Sequence, residues 1–479
     1  MTFRVAVLMA IGFCGVIIAR DTLAQGSSTR YAAPPRRLPA VSLQSLGFPS
    51  QAAPGESTKR AGVEVPLAAS FATPASFYQA GADDTAPGML NSDEFLPANQ
   101  PDGMEMFRGD FSDDGTDRGV GLDLYSPPDF DTGVVVRGEN VAMKFGGYVK
   151  ADFIYDFDPI DSTDSFNPTT IPIGAPHRTN ARFHAKQSRF SFDTRWATDV
   201  QTVRFFVEGD FFSEGNHYRL RHAYGEVGRL LVGRTWTTFH QTGASPPTLD
   251  FEGSVSSVNR RQAQARWTQP LFHEDLKLAL AVEDARFIIE EPVGLTGDPR
   301  TPSPDFVVRL RLDREWGQFQ IANIYRIGAF QPTGGQVITG TGWGFNFSGV
   351  ANVSQSTDAY YQIVFGDGIG SYRDLPDAAP TAVDAGGVLS TFAWMVGITH
   401  NWTEQLSSNF TYAENSVDPT AFQAPEDVQR TTYLAANLIY SPLDRVYVGI
   451  EYLYGTLENV AGATGKANRL QTSFVFVLP

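Results

Sequence analysis

The 479-residue sequence has one cysteine, six lysines and, beyond its first two dozen residues, no apolar run long enough to cross a bilayer as a helix. The single cysteine, Cys14, excludes a disulfide framework and any cysteine-rich metal site. The net charge of −16 argues against general binding of nucleic acid or of anionic membrane surfaces. Because 31 arginines accompany the six lysines, the composition indicates a specific use of guanidinium groups.

Catalytic motifs are equally scarce. The sequence has no Walker loop, no paired-histidine zinc motif and no Gly-x-Ser-x-Gly turn. His217 and His222 lie near each other without further metal-type partners. A hydrolase would need a Ser–His pair with an orienting group, and none can be placed from the sequence. We therefore predict no enzymatic activity, no cofactor and no metal site.

The first 24 residues have the layout of a secretory signal peptide. Arg4 precedes an apolar run over residues 5–19, and small residues surround Ala24. We predict cleavage after Ala24, which would remove Cys14. The alternative is a retained membrane anchor, although this apolar run is shorter than a bilayer span.

The next segment has the composition of a linker. Residues 25–138 contain 12 of the 30 prolines, an acidic stretch at 110–117 and no sustained apolar period. Such a segment buries too little apolar surface to offset the entropy of ordering it. We predict a mostly disordered, acidic linker over 25–138, and the residues leave open whether it is a tether or a plug.

From about residue 144 apolar and polar residues alternate. Phe153 and Tyr155, for example, alternate with Asp152 and Asp156, which places the two sets on opposite faces of a strand. We count about 16 such segments, with 14 or 18 as alternatives: 144–157, 183–196, 201–213, 217–228, 230–236, 259–268, 276–289, 305–315, 317–329, 340–352, 358–366, 390–401, 406–415, 431–440, 445–455 and 467–478.

The connections between these segments alternate between short and long, which is typical of outer-membrane barrels. Residues 197–200 and 402–405 form short turns, whereas 158–182 and 367–389 form long loops. The predicted fold is therefore all-β: a transmembrane antiparallel β-barrel of about 16 strands over 139–479, with a disordered N-terminal extension, in a Gram-negative outer membrane. A soluble β-sandwich also alternates, but the signal peptide, the unequal loops and the aromatic strand ends favour the barrel.

Arginines cluster on one predicted wall of the barrel. Sixteen of the 31 lie between residues 178 and 311, and alternation places most of them on the polar face. A barrel of this size encloses a water-filled channel, and its lining selects the solute. The predicted pore-lining arginines are Arg189, Arg195, Arg204, Arg219, Arg221, Arg234, Arg260, Arg266, Arg309 and Arg311.

Two interpretations of these arginines remain open. A guanidinium stays charged and matches carboxylate oxygens in pairs, so a row of them would concentrate anions. Alternatively, the arginines pair with interior acids and only make the wall hydrophilic. The candidate partners are Asp193, Glu208, Asp210 and Asp313.

The loop at 237–258 joins the fifth and sixth predicted strands. In general porins the loop at this position folds inward and narrows the pore. If this loop does so, Asp250 and Glu252 would face the arginine wall across the constriction and create a transverse field. The alternative is an ordinary external loop.

Several runs resemble the DcaP-like family of outer-membrane porins. They are residues 147–152, 187–195, 218–226, 231–239 and 259–267. The later part of the barrel shares only the general alternation of apolar and polar residues with the family. The resemblance implies a homotrimeric 16-stranded porin for small anionic solutes, including dicarboxylates. Family members often carry an N-terminal coiled-coil-like segment, which the proline-rich linker does not match.

We therefore hypothesise passive diffusion of small hydrophilic solutes, with a preference for anions, through an arginine-lined lumen. The expected partners are the outer-membrane bilayer, two further copies of the chain and small anionic solutes. The alternative is a structural envelope protein, anchored by the barrel, whose linker binds cell wall or protein partners.

Overall fold

A computed structural model describes residue 130 and residues 133–290, 296–382 and 385–478. The predicted signal peptide and nearly all of the predicted linker lie outside these residues. Within them no helix is both long and apolar enough to span a membrane. The helical turns that are described, Pro168–Thr170, Glu214–Asn216 and Gly370–Arg373, are single 3₁₀ turns in the long loops.

The described residues form 21 strands. In chain order they are β1 Val134–Arg137, β2 Val141–Asp156, β3 Asn180–His184, β4 Arg189–Ala197, β5 Thr202–Asp210, β6 Arg219–Val227, β7 Leu230–Trp236, β8 Arg261–Leu271, β9 His273–Glu283, β10 Gly297–Arg300, β11 Asp305–Arg314, β12 Gly317–Pro332, β13 Ile338–Ser354, β14 Thr357–Asp367, β15 Ala378–Ala382, β16 Ala385–Val388, β17 Ser390–Asn401, β18 Leu406–Val417, β19 Val428–Leu443, β20 Val446–Asn459 and β21 Thr464–Val477.

Sixteen of these strands close into an antiparallel barrel. The order around the barrel is β2, β4 to β9, β11 to β14, β17 to β21 and back to β2. The last strand pairs with the first over nine residues, from Tyr148 opposite Val477 to Asp156 opposite Arg469. This confirms the predicted fold, and each of the 16 predicted segments contains or overlaps one barrel strand.

The remaining strands extend the barrel rim. β1 and β3 pair with the two ends of β2, and β10 pairs with the loop end of β12. β15 and β16 form a separate hairpin within the connection from β14 to β17. β1 begins just before the predicted barrel boundary at residue 139.

The two faces of each strand have opposite chemistry. On β2, Phe153 and Tyr155 are exposed on the outer face, whereas Asp152 and Asp156 are fully buried on the inner face. Inside the barrel Asp156 accepts a hydrogen bond from Nε of Arg469 at 2.6 Å, and Asp152 accepts one from Gln471 at 3.0 Å. The polar faces thus bond to one another across the closing seam, while the apolar faces meet lipid.

The core lies inside the barrel, where long loops fold against the inner wall. Phe166 and Ile171, from the connection between β2 and β3, pack against Tyr433, Leu453 and their neighbours. The loop from β7 to β8 contributes Phe239 to a second cluster. The interior is therefore filled mainly by loops that start at one end of the barrel.

Candidate functional site

The connection from β7 to β8, named the inward loop (residues 237–260), runs along the inner wall of the barrel. Five strands each present a side-chain amide that donates a hydrogen bond to a main-chain carbonyl of this loop. These bonds are Asn346 to Phe239 (2.8 Å), Gln320 to His240 (3.1 Å), Gln362 to Ala244 (3.1 Å), Asn437 to Pro247 (2.9 Å) and Gln471 to Leu249 (2.8 Å). Because these bonds pass from β12 and β13 through β14 and β19 to β21, the loop follows the wall.

The tip of the inward loop is clamped by buried charged groups. The Glu451 carboxylate on β20 accepts hydrogen bonds from the N–H groups of Leu249 at 2.9 Å and Asp250 at 2.7 Å. The Lys150 ammonium on β2 donates to the Leu249 carbonyl and pairs with Asp152 at 3.1 Å. Hydrogen bonds to charged groups are stronger than neutral ones, so these contacts fix the tip firmly.

The inward loop leaves one wall uncovered along most of its course. From Phe239 to Leu249 its hydrogen bonds lie on β12 to β14 and β19 to β21, with Lys150 on β2, whereas most of the predicted arginines lie on β4 to β11. The base of the loop lies on the arginine side, because Thr237 bonds to Glu283 on β9 and Phe239 packs in one cluster with Ala281 of β9. After its tip the loop returns toward the connection from β5 to β6, where Phe251 stacks on Phe212 with ring centroids 3.6 Å apart. The middle of the loop therefore lies on the side opposite most of the arginines.

The two predicted constriction acids are buried in loop contacts. The Asp250 carboxylate accepts hydrogen bonds from the N–H groups of Phe166 at 2.8 Å and Gly253 at 3.0 Å, and burial raises its pKa. Burial, followed by repulsion from Asp374 and Asp250, raises the pKa of Glu252 well above its ordinary value. This placement differs from the expectation that both acids face the arginine wall, and their role as constriction charges stays a prediction.

Six of the ten predicted arginines form ion pairs on the inner face of β4 to β11. All four candidate acids take part, together with Glu226, which was not among the predicted partners. The pairs are Arg189–Glu208 (3.4 Å), Arg195–Asp193 (3.2 Å), Arg204–Asp193 (2.9 Å), Arg204–Glu226 (3.1 Å), Arg219–Asp210 (2.8 Å), Arg221–Glu208 (2.9 Å), Arg221–Asp210 (2.9 Å) and Arg311–Asp313 (2.7 Å).

A β-bulge explains why β6 did not show clear alternation. Glu208 pairs with His222 and Gly209 with Leu220, so Arg221 is the extra residue on β6. The bulge turns Arg221 and His222 into the interior, while Leu220 stays exposed outside. The resulting interior cluster places two arginines of β6 on the acids of β5.

Three further predicted arginines take no part in these ion pairs. Arg260, at the end of the inward loop, donates to the Arg286 carbonyl at 3.0 Å and lies 4.9 Å from the Tyr372 ring centroid. Arg266 and Arg309 form no hydrogen bond or ion pair with any residue that the structure describes. The nearby carboxylate of Glu283 is occupied by neutral donors, including Thr237 Oγ1 at 2.5 Å.

Arg234 lies on the outer face of the barrel, which differs from the predicted inward position. It pairs in register with Ala223 on β6 and Ala263 on β8, and it is exposed. It shares its face of β7 with Val232, which is also exposed. Both faces of this short strand carry apolar residues, so the sequence offered no alternation from which to orient Arg234.

The residues that hold the inward loop were not predicted from the sequence. They are the five wall amides and the two clamping charges, Lys150 and Glu451. A signal was available, because the amides occupy inward positions in their strands. Their partners were not readable, because Glu451 bonds to residues about 200 positions earlier in the chain.

Comparisons with known proteins agree with this geometry. The model of the DcaP outer membrane protein family matches residues 114–475. The crystal structure of the outer membrane channel DcaP of Acinetobacter baumannii is 20% identical with a TM-score of 0.64, covering 71% of this chain and 98% of that chain. No protein of curated function matches this chain significantly.

Two further solved structures are more distant. An anion-selective porin from Comamonas acidovorans is 10% identical with a TM-score of 0.49, covering 71% of this chain and 100% of that chain. OmpF of Salmonella typhi, solved in complex with daunomycin, is 9% identical with a TM-score of 0.49, covering 72% of this chain and 100% of that chain.

Replacing the clamp carboxylate should loosen the tip of the inward loop. In Glu451→Gln the amide can accept from only one of the two loop N–H groups and turns its own N–H₂ toward the other. We expect hydrogen exchange of the Leu249 and Asp250 amides to be at least roughly tenfold faster, because a hydrogen bond to a charged acceptor contributes about 1.5–3 kcal/mol. Mass spectrometry of peptides from the loop measures this.

Glu458→Gln is the matched control, since Glu458 lies on the same strand and pairs with Arg430 only at 3.8 Å. It should leave exchange in the loop unchanged. Equal protection of the tip in Glu451→Gln and wild type would contradict the clamp.

Proposed function

Because the chain belongs to the DcaP outer membrane protein family, and so lies in the outer membrane, we propose that it is a passive porin for small hydrophilic anions, dicarboxylates among them. It acts as a channel rather than as an enzyme. The observation that carries the anion preference is that two arginines on the inner face of β8 and β11, Arg266 and Arg309, have no ion-pair partner among the described residues.

These two arginines flank a strand with small side chains. On β9, Ala281 pairs with Arg266 of β8, and Ala279 pairs with Arg309 of β11. Strand spacing and rise place the two arginine Cα atoms about 12 Å apart, with both side chains on the inner face. The two alanines are buried, and Ala281 packs in one cluster with Phe239 of the inward loop. We propose that a solute with two carboxylates bridges the two guanidinium groups beside the base of this loop.

The charge on this wall is net positive. The six paired arginines meet five carboxylates, those of Asp193, Glu208, Asp210, Glu226 and Asp313. Arg266 and Arg309 add two further charges, and Arg309 is repelled by both Arg266 and Arg311. An anion near this group relieves that repulsion, while the paired arginines offer weaker sites along the wall that allow it to move on.

Dicarboxylates should interact with the pore more strongly than monocarboxylates of similar size. Succinate added to one side of a planar bilayer should reduce chloride conductance through the wild-type pore at concentrations where propionate does not. In Arg266→Gln/Arg309→Gln we expect roughly tenfold more succinate for the same reduction, because each lost charge-assisted contact contributes about 1 kcal/mol or more.

Arg314→Gln is the control on the same strand as Arg309. Arg314 is exposed near the short turn and pairs with Asp275 at 2.5 Å. The control should respond to succinate as the wild type does. Equal succinate sensitivity of the double variant and the wild type would contradict the proposed site.

We also propose that the barrel assembles as a homotrimer through the outer face around Arg234. A guanidinium on a lipid-facing surface at mid-membrane is unfavourable by about 2–4 kcal/mol. Arg234 lies instead beside the small residues Ala223 and Ala263, which leave a flat surface for close approach of another barrel. A neighbouring copy would place Arg234 in a protein contact rather than in lipid.

The substitution Arg234→Leu distinguishes these two environments by the sign of its effect. At an interface between copies it should lower the temperature at which detergent-resistant trimers dissociate, as followed by unheated gel electrophoresis. In lipid it should leave that temperature unchanged or raise it, because leucine suits lipid better. Ile363→Leu, on the exposed outer face of β14, is a conservative control for surface changes.

We propose that the chain is exported by cleavage after Ala24 and that residues 25–138 link the barrel to its N-terminus. The described end of this linker reaches the arginine wall. Phe130 is buried, and its ring centroid lies 4.9 Å from the guanidinium carbon of Arg195 on the inner face of β4. This contact supports a linker whose end approaches the lumen.

A further inference from the structure

A small polar cavity lies behind the inward loop, where several segments meet. Its volume is about 20 Å³. The inward loop contributes residues between Glu252 and Asn259, and the strands β18 and β19 contribute Asn415 and Thr431. The connections from β2 to β3 and from β14 to β17 contribute the rest of the lining. A cavity of this size holds one water molecule or one ion and excludes organic solutes.

Most of the polar atoms that face this cavity are acceptors without a partner among the described residues. Three accept only: Glu252 Oε2, Asn259 Oδ1 and Asn415 Oδ1. The hydroxyls of Ser257 and Thr431 are also without partners. Glu252, Ser257, Asn415 and Thr431 are each at least 95% buried, so solvent does not satisfy them.

The orientation of the two amides is fixed by their other ends. Asn259 Nδ2 donates to the Glu252 carbonyl at 3.4 Å, and Asn415 Nδ2 donates to the Arg373 carbonyl at 3.3 Å. Each amide oxygen is therefore left for the cavity. Two donors, Asn167 Nδ2 and Arg373 Nε, also lie there without partners, so acceptors outnumber donors.

The charge around the cavity is negative. Glu252 is repelled by Asp374 and Asp250, and Arg373 is the one cation that lines the cavity. The terminal nitrogens of Arg373 point elsewhere, donating to the Val364 carbonyl at 3.1 Å and to Thr391 Oγ1 at 2.6 Å. Two carboxylates, Glu252 and Asp374, line the cavity with this one guanidinium, and Arg219 also acts on Glu252. A bound cation would relieve the repulsion between the two lining carboxylates.

We propose that this cavity is a binding site for a divalent cation of the calcium type. Calcium takes six to eight oxygen ligands in irregular geometry, which suits a mixed set of carboxylate, amide and hydroxyl oxygens. Magnesium requires a tighter octahedron and retains its waters, so it suits this set less well. One water molecule donates only two hydrogen bonds, whereas a cation binds lone pairs of all these carboxylate, amide and hydroxyl oxygens at once.

The described residues hold no cluster of three or more His, Cys, Asp or Glu side chains that could bind a metal. The proposed ligand set differs from such clusters because most of its oxygens come from amides and hydroxyls. A cation there would join the inward loop to β18, β19 and the loop of Asp374. It would thereby fix the loop on the side away from the Glu451 clamp.

Thermal unfolding of the full chain in detergent tests the site. Calcium added after chelation should raise the unfolding midpoint of the wild type by about 3 °C or more, because a ligand that binds only the folded state stabilises it. Glu252→Gln should abolish this rise. Asp374→Asn is a second variant of the proposed site. It should fold, because Asp374 has a φ of 58° and asparagine tolerates this left-handed conformation.

Glu214→Gln, in an exposed loop turn, is the control and should keep the calcium response of the wild type. Residual lipid also binds calcium, so the readout is the difference between variants. In chelator, Glu252→Gln should unfold at or above the wild-type midpoint, because it removes an uncompensated charge. No calcium effect on the wild type, or the same rise in Glu252→Gln, would overturn the proposal and leave a water molecule in the cavity.

Discussion

A β-sheet in a bilayer can leave no unpaired edge, and the closure of β2 on β21 meets this constraint. Closure divides every strand into a lipid face and an interior face. The interior face is then rich in polar groups that must find partners without bulk water. At the closing seam these partners are the acids Asp152 and Asp156 with Gln471 and Arg469. The contacts in the lumen meet the same requirement that interior polar groups find partners.

The interior is divided into two unlike walls. On one, amides and a buried carboxylate bind the inward loop, so the wall is filled by main chain and carries little free charge. On the other, arginines and acids pair across β4 to β11, and Arg266 and Arg309 lie outside every ion pair of the described residues. The middle of the loop lies on the first wall, and its base contacts β8 and β9 on the second. In the proposed channel, solutes would pass guanidinium groups on the second wall, which agrees with a composition that favours arginine over lysine.

The sequence predicts the barrel well because alternation is a local property. All 16 predicted segments coincide with barrel strands. The sequence left open whether the loop between the fifth and sixth strands folds inward, and in the structure this loop runs along the inner wall. The inward orientation predicted for Arg234 was wrong, because both faces of β7 carry apolar residues and gave no alternation to follow. The burial of Asp250 and Glu252 was not predicted, since their partners come from distant strands and loops. The net charge of −16 also misleads, because 17 of the 53 acids precede residue 144 and many interior acids are paired.

The ion selectivity of the wild-type pore tests the account most directly. A single channel is placed between potassium chloride solutions of unequal concentration, and the voltage at which the current is zero is measured. The surplus of arginine over acid on the inner face of β4 to β11 predicts a voltage of the sign that marks chloride as the more permeant ion, increasing in magnitude at low salt. A voltage of the opposite sign would contradict the account.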